Sequence, residues 1–341
     1  MASTYGQHNI RNTHYDQFLT NISVGYSEDK NFIAEQVVKV VEVNKQSDKY
    51  MVFDYRDEMV EATDIRRAPG TVASETRTGW SEDSYFTDGY AKRYALYDEE
   101  LANADQDMIF SLKEMAAKQV KSKLQLAKEI NTARLLTNAN NFHADLQPTI
   151  GDSSTPGADI IKWSDYTNSN PILDMVKLKE KGERLGGMDY NTLVLSAPVY
   201  QSLRMNPKLK ATIAGFVSPE FVSDEALKQL LGVDNIVVAK GRKATSAQRR
   251  VGEGGLTNYI WGNNAVLLHV PQSAGRDIPA AAYTFQWTNP LANVVGNQKT
   301  REYYDEPSKT LWIETEEWYG QKVVSKLGAI VLNDIVDPLV G

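Results

Sequence analysis

The chain has 341 residues, 42% hydrophobic and 24% charged, which is ordinary for a globular protein and long enough for more than one packed core. Its net charge of −7 disfavours broad non-specific binding of nucleic acid, which needs clustered Lys and Arg. The lack of cysteine excludes disulfides, thiolate nucleophiles and Cys-ligated zinc, and no apolar run approaches the roughly 18 residues of a membrane span.

Residues 1–31 are polar, with four Asn and scattered Tyr, and read as an extended arm at best. They lack the apolar centre of a signal peptide, so folding in a reducing cytoplasm is expected. Residues 35–43 read as a strand because Val37, Val38, Val40, Val41 and Val43 are β-branched, although a helix is possible at this length. Lys49–Asp57 and Tyr90–Tyr97 alternate aromatic and polar residues and read as two antiparallel strands of one long hairpin. The outer part of that hairpin, Glu58 to Gly89, has no core of its own. An ordered segment of that kind makes sense where a neighbouring subunit supplies the missing surface; a disordered surface loop is the other reading.

Residues 105–138 carry the strongest helix pattern. Ile109, Leu112, Ala116, Val120, Leu124, Ala127, Ile130 and Leu135 form one apolar stripe. Lys113, Glu114, Lys118, Lys121, Lys123, Lys128 and Glu129 are expected on the solvent face. At 1.5 Å per residue this is a rod of roughly 50 Å. After a polar loop, a helix from Pro171 to Leu185 stops at Gly186-Gly187. An α/β unit follows: a strand over 192–195, a short helix behind Ser196 as N-cap, a helix over 225–231 and a strand over 235–239. Residues 240–255 form a Gly-rich basic loop. Tyr259–Trp261 and Ala265–Val270 are expected to pair across Gly262-Asn263-Asn264. Strands over 280–287, 301–305, 310–319 and 328–336 complete an α+β chain without repeats.

Catalytic signatures are scarce. The phosphate-cradling motif GxxxxGK[ST] and the nucleophile elbow GxSxG are absent, and GEGG at 252–255 lacks a strand–helix context. His8 and His14 near Asp16 could in principle ligate a metal, but nothing fixes their geometry. His143 falls in a loop and His269 in a strand. Glu314, Glu316 and Glu317 alternate with Trp312 and Trp318 and read as a half-solvated sheet face rather than an acid–base pair. Lys240, Arg242, Lys243, Arg249 and Arg250 form the one patch of single sign; a solvated or inter-subunit loop fits it better than nucleic-acid contact, because no aromatics are interleaved. No enzyme, metal or cofactor is expected.

Taken in order, FIAEQVVKVVEVNKQSDKYMVFD with RRAPGT, the long helix, GMDYNTLVLSAPVYQSLRMNPKL, WGNNAVLLHVP and KLGAIVLNDIV resemble the major capsid proteins of tailed bacteriophages, the Hong Kong 97-like capsid fold. The resemblance covers nearly the whole chain. It implies an N-terminal arm over 1–47, an extended loop over 48–97, and a peripheral domain from 98–187 and 298–341 around a spine helix over 105–138. An apical domain would take 188–297, with its tip near 240–256 carrying Lys240, Arg242, Lys243, Arg249 and Arg250. Function would be that of an icosahedral head shell around double-stranded DNA, found in the virion after assembly in the bacterial cytoplasm. Partners would be further copies as pentamers and hexamers, a separate scaffolding protein, a portal, a decoration protein, and weak contact with packaged DNA, with no membrane. Met51, Phe53, Tyr55, Arg66, Arg67, Pro69, Trp80, Tyr90 and Tyr94 would make the inter-subunit contacts of the arm and extended loop. Some relatives cross-link through a lysine of that loop, but this chain has no lysine between Lys49 and Lys92, so non-covalent contacts are expected. The alternative within the fold is an encapsulin-like nanocompartment; outside it, a hydrolase using the carboxylates around Glu314.

Overall fold

A computed structural model describes residues 32–53, 59–61, 65–67, 69–73, 75, 79–213, 222–244, 257–275, 278–288 and 298–337, with backbone only at 53, 106 and 107. Its axis is one helix, Gln106–Thr137, 32 residues long. The helix contains neither Gly nor Pro and is rich in Lys, Ala, Leu, Met and Gln, all good helix formers. Its first half packs Leu112, Ala116 and Ala117 against Leu96 and Ile313 of one sheet. The two alanines are fully buried, and their small side chains let the sheet come close. Its second half packs Ala133 and Leu136 against Val194, Val266 and Leu268 of a second sheet. A single rod therefore serves two cores, and its bounds differ from the sequence expectation by one residue at each end. The expected solvent face is only partly so. Lys121, Lys128 and Glu129 are buried, because the root of the N-terminal segment lies across that side of the helix.

That root divides in two. Ala34–Val37 forms a helical turn, and Lys39–Val43 alone is a strand. The strand pairs in parallel with Ala282–Trp287 at the edge of a five-stranded sheet. The centre of this sheet is Thr310–Val323, whose alternating burial marks one face turned inward and one turned outward. It pairs with Ala282–Trp287 and Lys299–Asp305, and with Asp88–Tyr97. The last pairing corrects the expected long hairpin. Ser47–Phe53 instead pairs with Trp80–Phe86 as a separate two-stranded ribbon. The Phe86 end of the ribbon meets the body at Gly320, where an added Cβ would stand 1.9 Å from the Phe86 carbonyl oxygen; only glycine fits there.

The second sheet has the order Ala329–Leu332, Ala265–Leu268, Thr192–Ser196, Asn235–Ala239. Thr192–Ser196 is buried along its whole length and runs parallel to Asn235–Ala239, joined by a helical crossover. Gly187 and Gly232, both at φ +65°, close the helices Pro171–Gly186 and Asp224–Leu231 in the left-handed region. The turn at Gly262 exists, with φ +60°, but its flanks do not pair with each other. Ala265–Leu268 lies between Thr192–Ser196 and Ala329–Leu332, while Thr257–Tyr259 pairs with Arg242–Ala244. The closing strand over 328–336 is shorter than expected, Ala329–Leu332, and belongs to this second sheet rather than to the one built by 299–323.

Candidate inter-subunit surface

The ribbon of Ser47–Phe53 and Trp80–Phe86 is fastened to the body at its base. Tyr50 and Tyr85 flank Phe285 of the five-stranded sheet, with ring centroids 5.4 and 4.7 Å from it. Tyr85 and Phe285 stack and are nearly parallel. This aromatic cluster, with Val41, Val43 and Tyr283, is a small core of its own. Asp83 adds a polar clasp: it accepts hydrogen bonds from the Lys322 ammonium and from the Tyr50 hydroxyl at 3.0 Å. Partial burial pulls the Asp83 carboxyl up, but the bonds from Lys322, the Ser84 amide and Tyr50 outweigh it and hold the carboxyl below its ordinary value. Desolvation, reinforced by Asp83, pushes the Tyr50 phenol well up.

On the ribbon and in the chain between its strands, several apolar side chains are exposed that a folded protein normally buries. Met51, Met59, Val60, Ile65, Val72, Trp80 and Phe86 are all at least half exposed, Val72 at 93%. Single exposed apolar residues are unremarkable, but seven of them within one stretch of chain mark a candidate interaction surface. Arg66 and Arg67 add positive charge beside Ile65. Arg67 donates to the Thr71 carbonyl, and both residues are exposed. Pro69 is exposed in a turn with Gly70, whose φ of +82° suits glycine.

The sequence-predicted contact residues thus fall into three groups. Met51, Arg66, Arg67, Pro69 and Trp80 lie exposed on the extension. Tyr90 and Tyr94 are engaged within the protomer, Tyr90 stacked on Tyr319 at 4.4 Å and Tyr94 packed with Leu96, Ala116, Ala117 and Ile313. Tyr55 and the Phe53 side chain lie outside the described residues. Of the basic loop, Lys240, Arg242 and Lys243 are exposed, while Arg249 and Arg250 lie outside the described residues. The Arg242 guanidinium sits 5.1 Å from the Tyr259 ring centroid and donates to its hydroxyl at 3.4 Å, so an aromatic does accompany this patch in space.

A residue missed from the sequence is Glu129, in the second half of the long helix and fully buried. One carboxylate oxygen accepts the Ile33 and Ala34 amides at 2.9 and 2.8 Å; the other accepts the Trp261 indole N–H at 2.6 Å. Burial pushes its carboxyl up against the opposing effect of these three donors. One side chain therefore ties the arm root, the helix and the loop before Ala265 together. Next to it, buried Lys128 donates to Glu35 at 2.6 Å. No sequence signal distinguishes Glu129 from the exposed charges of the same helix.

The acidic strand holds ion pairs rather than a reactive dyad. Glu314 accepts from Arg301 at 2.7 Å and Tyr303 at 3.1 Å, Glu316 faces Lys299 at 3.8 Å, and Glu317 is buried against Gln298. Ser196 occupies the N-cap position, but its side chain makes no capping bond. His143 accepts the Asp145 amide, and His269 is bonded to the Asp189 carbonyl at 2.6 Å. His8 and His14 lie outside the described residues. Among the described residues no group of His, Asp and Glu is arranged to hold a metal, and no helix is long and apolar enough to cross a membrane.

No protein-family model matches the sequence, and no curated protein is similar to it. Solved structures do match. A phage-related protein from Bordetella bronchiseptica superposes over 95% of this chain and 98% of its own, with a TM-score of 0.72 and 20% identity. The capsid of cyanophage P-SCSP1u matches over 87% of this chain and 85% of that one, with a TM-score of 0.50 and 13% identity. An encapsulin complex from Synechococcus elongatus matches over 100% and 95%, with a TM-score of 0.50 and 10% identity. Over most of its length this chain thus shares its fold with tailed-phage capsid and encapsulin shells, the fold its sequence resembles.

Proposed function

We propose that this chain is the major capsid protein of a tailed phage, a subunit that closes with its copies into an icosahedral shell around double-stranded DNA. The observation that carries the reading is the extension: a ribbon fastened at Phe285 and by Asp83, with apolar side chains along it and in the chain between its strands that face solvent in the isolated protomer. Burying seven such side chains on a neighbour would contribute on the order of 10 kcal/mol before entropy losses. Head-to-tail contacts of this kind close into rings of five and six, and many such contacts per shell multiply their effect. Assembly with a scaffolding protein, a portal and a decoration protein belongs to the same proposal, as does a place in the virion. The acidic balance of the chain favours DNA that slides past the wall.

Deleting residues 59–79 leaves the ribbon strands and their anchors in place. The expected product is a folded subunit that stays unassembled in sedimentation velocity. Shells of normal size from that variant would remove the extension from the assembly mechanism. An encapsulin-type shell is supported by the Synechococcus structure, whose TM-score equals that of the cyanophage capsid. Cargo separates the two readings: nuclease-protected DNA for the capsid, a co-purifying enzyme for the nanocompartment.

A further inference from the structure

A cleft of about 570 Å³ opens where the arm root meets the second sheet, lined among others by Phe32, Tyr200, Gln201, Lys240, Arg242 and Tyr259. Three aromatic rings line it, and among the described residues its charged lining groups are the two cations. Neither Lys240 nor Arg242 pairs with a carboxylate among the described residues. Tyr200 cannot serve as an anion there, because burial and its bond to Asp224 push its phenol up to about 12. In a chain of net charge −7, a concave site with three aromatic rings and two cations that meet no carboxylate among the described residues has the chemistry to receive an acidic segment that carries an aromatic residue. A duplex backbone fits it poorly, since phosphates need a stripe of several cations on an accessible face.

The sequence holds such a segment immediately upstream. Phe32 is itself a lining residue, and Tyr26, Ser27, Glu28 and Asp29 stand three to six positions before it. At up to about 3.5 Å of chain per residue, Asp29 and Glu28 can reach points roughly 10–14 Å from Phe32, the scale of the cleft. We infer that the cleft is the docking site of the acidic segment Tyr26–Asp29 of the same chain, with Glu28 and Asp29 paired to Lys240 and Arg242. The basic patch would then act on the chain's own N-terminal segment rather than on nucleic acid. This inference does not depend on what the shell encloses.

A charge swap tests it on the full-length protein. Chymotryptic cleavage after Tyr26 is followed by mass spectrometry in the parent, in Lys240→Glu/Arg242→Glu, in Glu28→Lys/Asp29→Lys, and in all four changes combined. All four positions are polar and, where described, exposed, and unchanged thermal unfolding checks that each variant folds. Each pair alone is expected to speed cleavage about tenfold, the ratio that two partly exposed ion pairs support, and the combined variant to restore the parental rate. Raising salt to 1 M should speed cleavage in the parent and leave the single-pair variants unchanged. Parental cleavage in Lys240→Glu/Arg242→Glu would overturn the inference. So would failure of the fourfold variant to restore protection, or loss of co-purifying nucleic acid as the sole effect of reversing the cations.

Discussion

Glu129 gives the sharpest test of how the protomer is held together. Replacing it with Gln keeps shape and removes charge. One oxygen becomes an NH2 group, so either Trp261 or the Ile33 and Ala34 amides face a donor instead of an acceptor. A buried donor left without a partner costs about 1–3 kcal/mol, and the surviving bonds lose the extra strength of a charged acceptor, about 1 kcal/mol each. Relief of the carboxylate's desolvation, the same burial that pushes its carboxyl up, offsets part of this. The net expectation is a loss of about 2–4 kcal/mol, read as a lower urea midpoint at unchanged slope. The amides of Ile33 and Ala34 should also exchange with solvent faster by one to two orders of magnitude. Parental stability in Glu129→Gln, or unchanged exchange at those amides, would refute the claim that this carboxylate fastens the arm root to the helix.

Other expectations follow from the base of the extension. Gly320→Ala places a methyl group 1.9 Å from the Phe86 carbonyl oxygen, and backbone must move to admit it; the expected cost is about 3 kcal/mol or more in thermal unfolding, and a shift below about 0.5 kcal/mol would show that the ribbon base is not tightly apposed. The Asp83 carboxyl is held below its ordinary 3.8, so its contribution to stability is present above that pH and fades as pH falls through the lower folded value. Denaturant titrations between pH 6 and pH 2 should therefore show an acid loss in the parent that is smaller in Asp83→Asn; equal losses would remove the clasp from the account. Arg66→Glu/Arg67→Glu should slow assembly, measured by light scattering, if the surface that receives the extension is acidic, and unchanged kinetics would exclude that polarity.

Much of this architecture was legible because its signals are local. The long helix has a 3.6-residue apolar period and no breaker, and the strand Asn235–Ala239 is a short apolar run between a Gly-capped helix and a basic loop. Pairing was less legible, because it is decided between distant residues. Lys49–Phe53 and Tyr90–Tyr97 look alike in alternation, yet Thr310–Val323 takes the second and leaves the first to Trp80–Phe86. Gly262 makes its turn, but the apolar Ala265–Leu268 is too well matched to two buried strands to fold back on Thr257–Tyr259. The stretch Glu58–Gly89, expected to lack a core, does so only in part: Met59, Val60, Ile65 and Val72 are exposed, but Tyr85 is buried on Phe285, a contact between distant residues that no local pattern announces. Glu129 was not readable, since a charged residue on an amphipathic helix is solvent-facing by default.

Electron cryomicroscopy of the purified full-length protein addresses the central claim most directly. The account predicts closed shells in which each copy lays residues 59–79 over its neighbour, with Val60, Ile65 and Val72 buried at that contact. A population of separate protomers, or shells in which those three side chains remain in solvent, would contradict it.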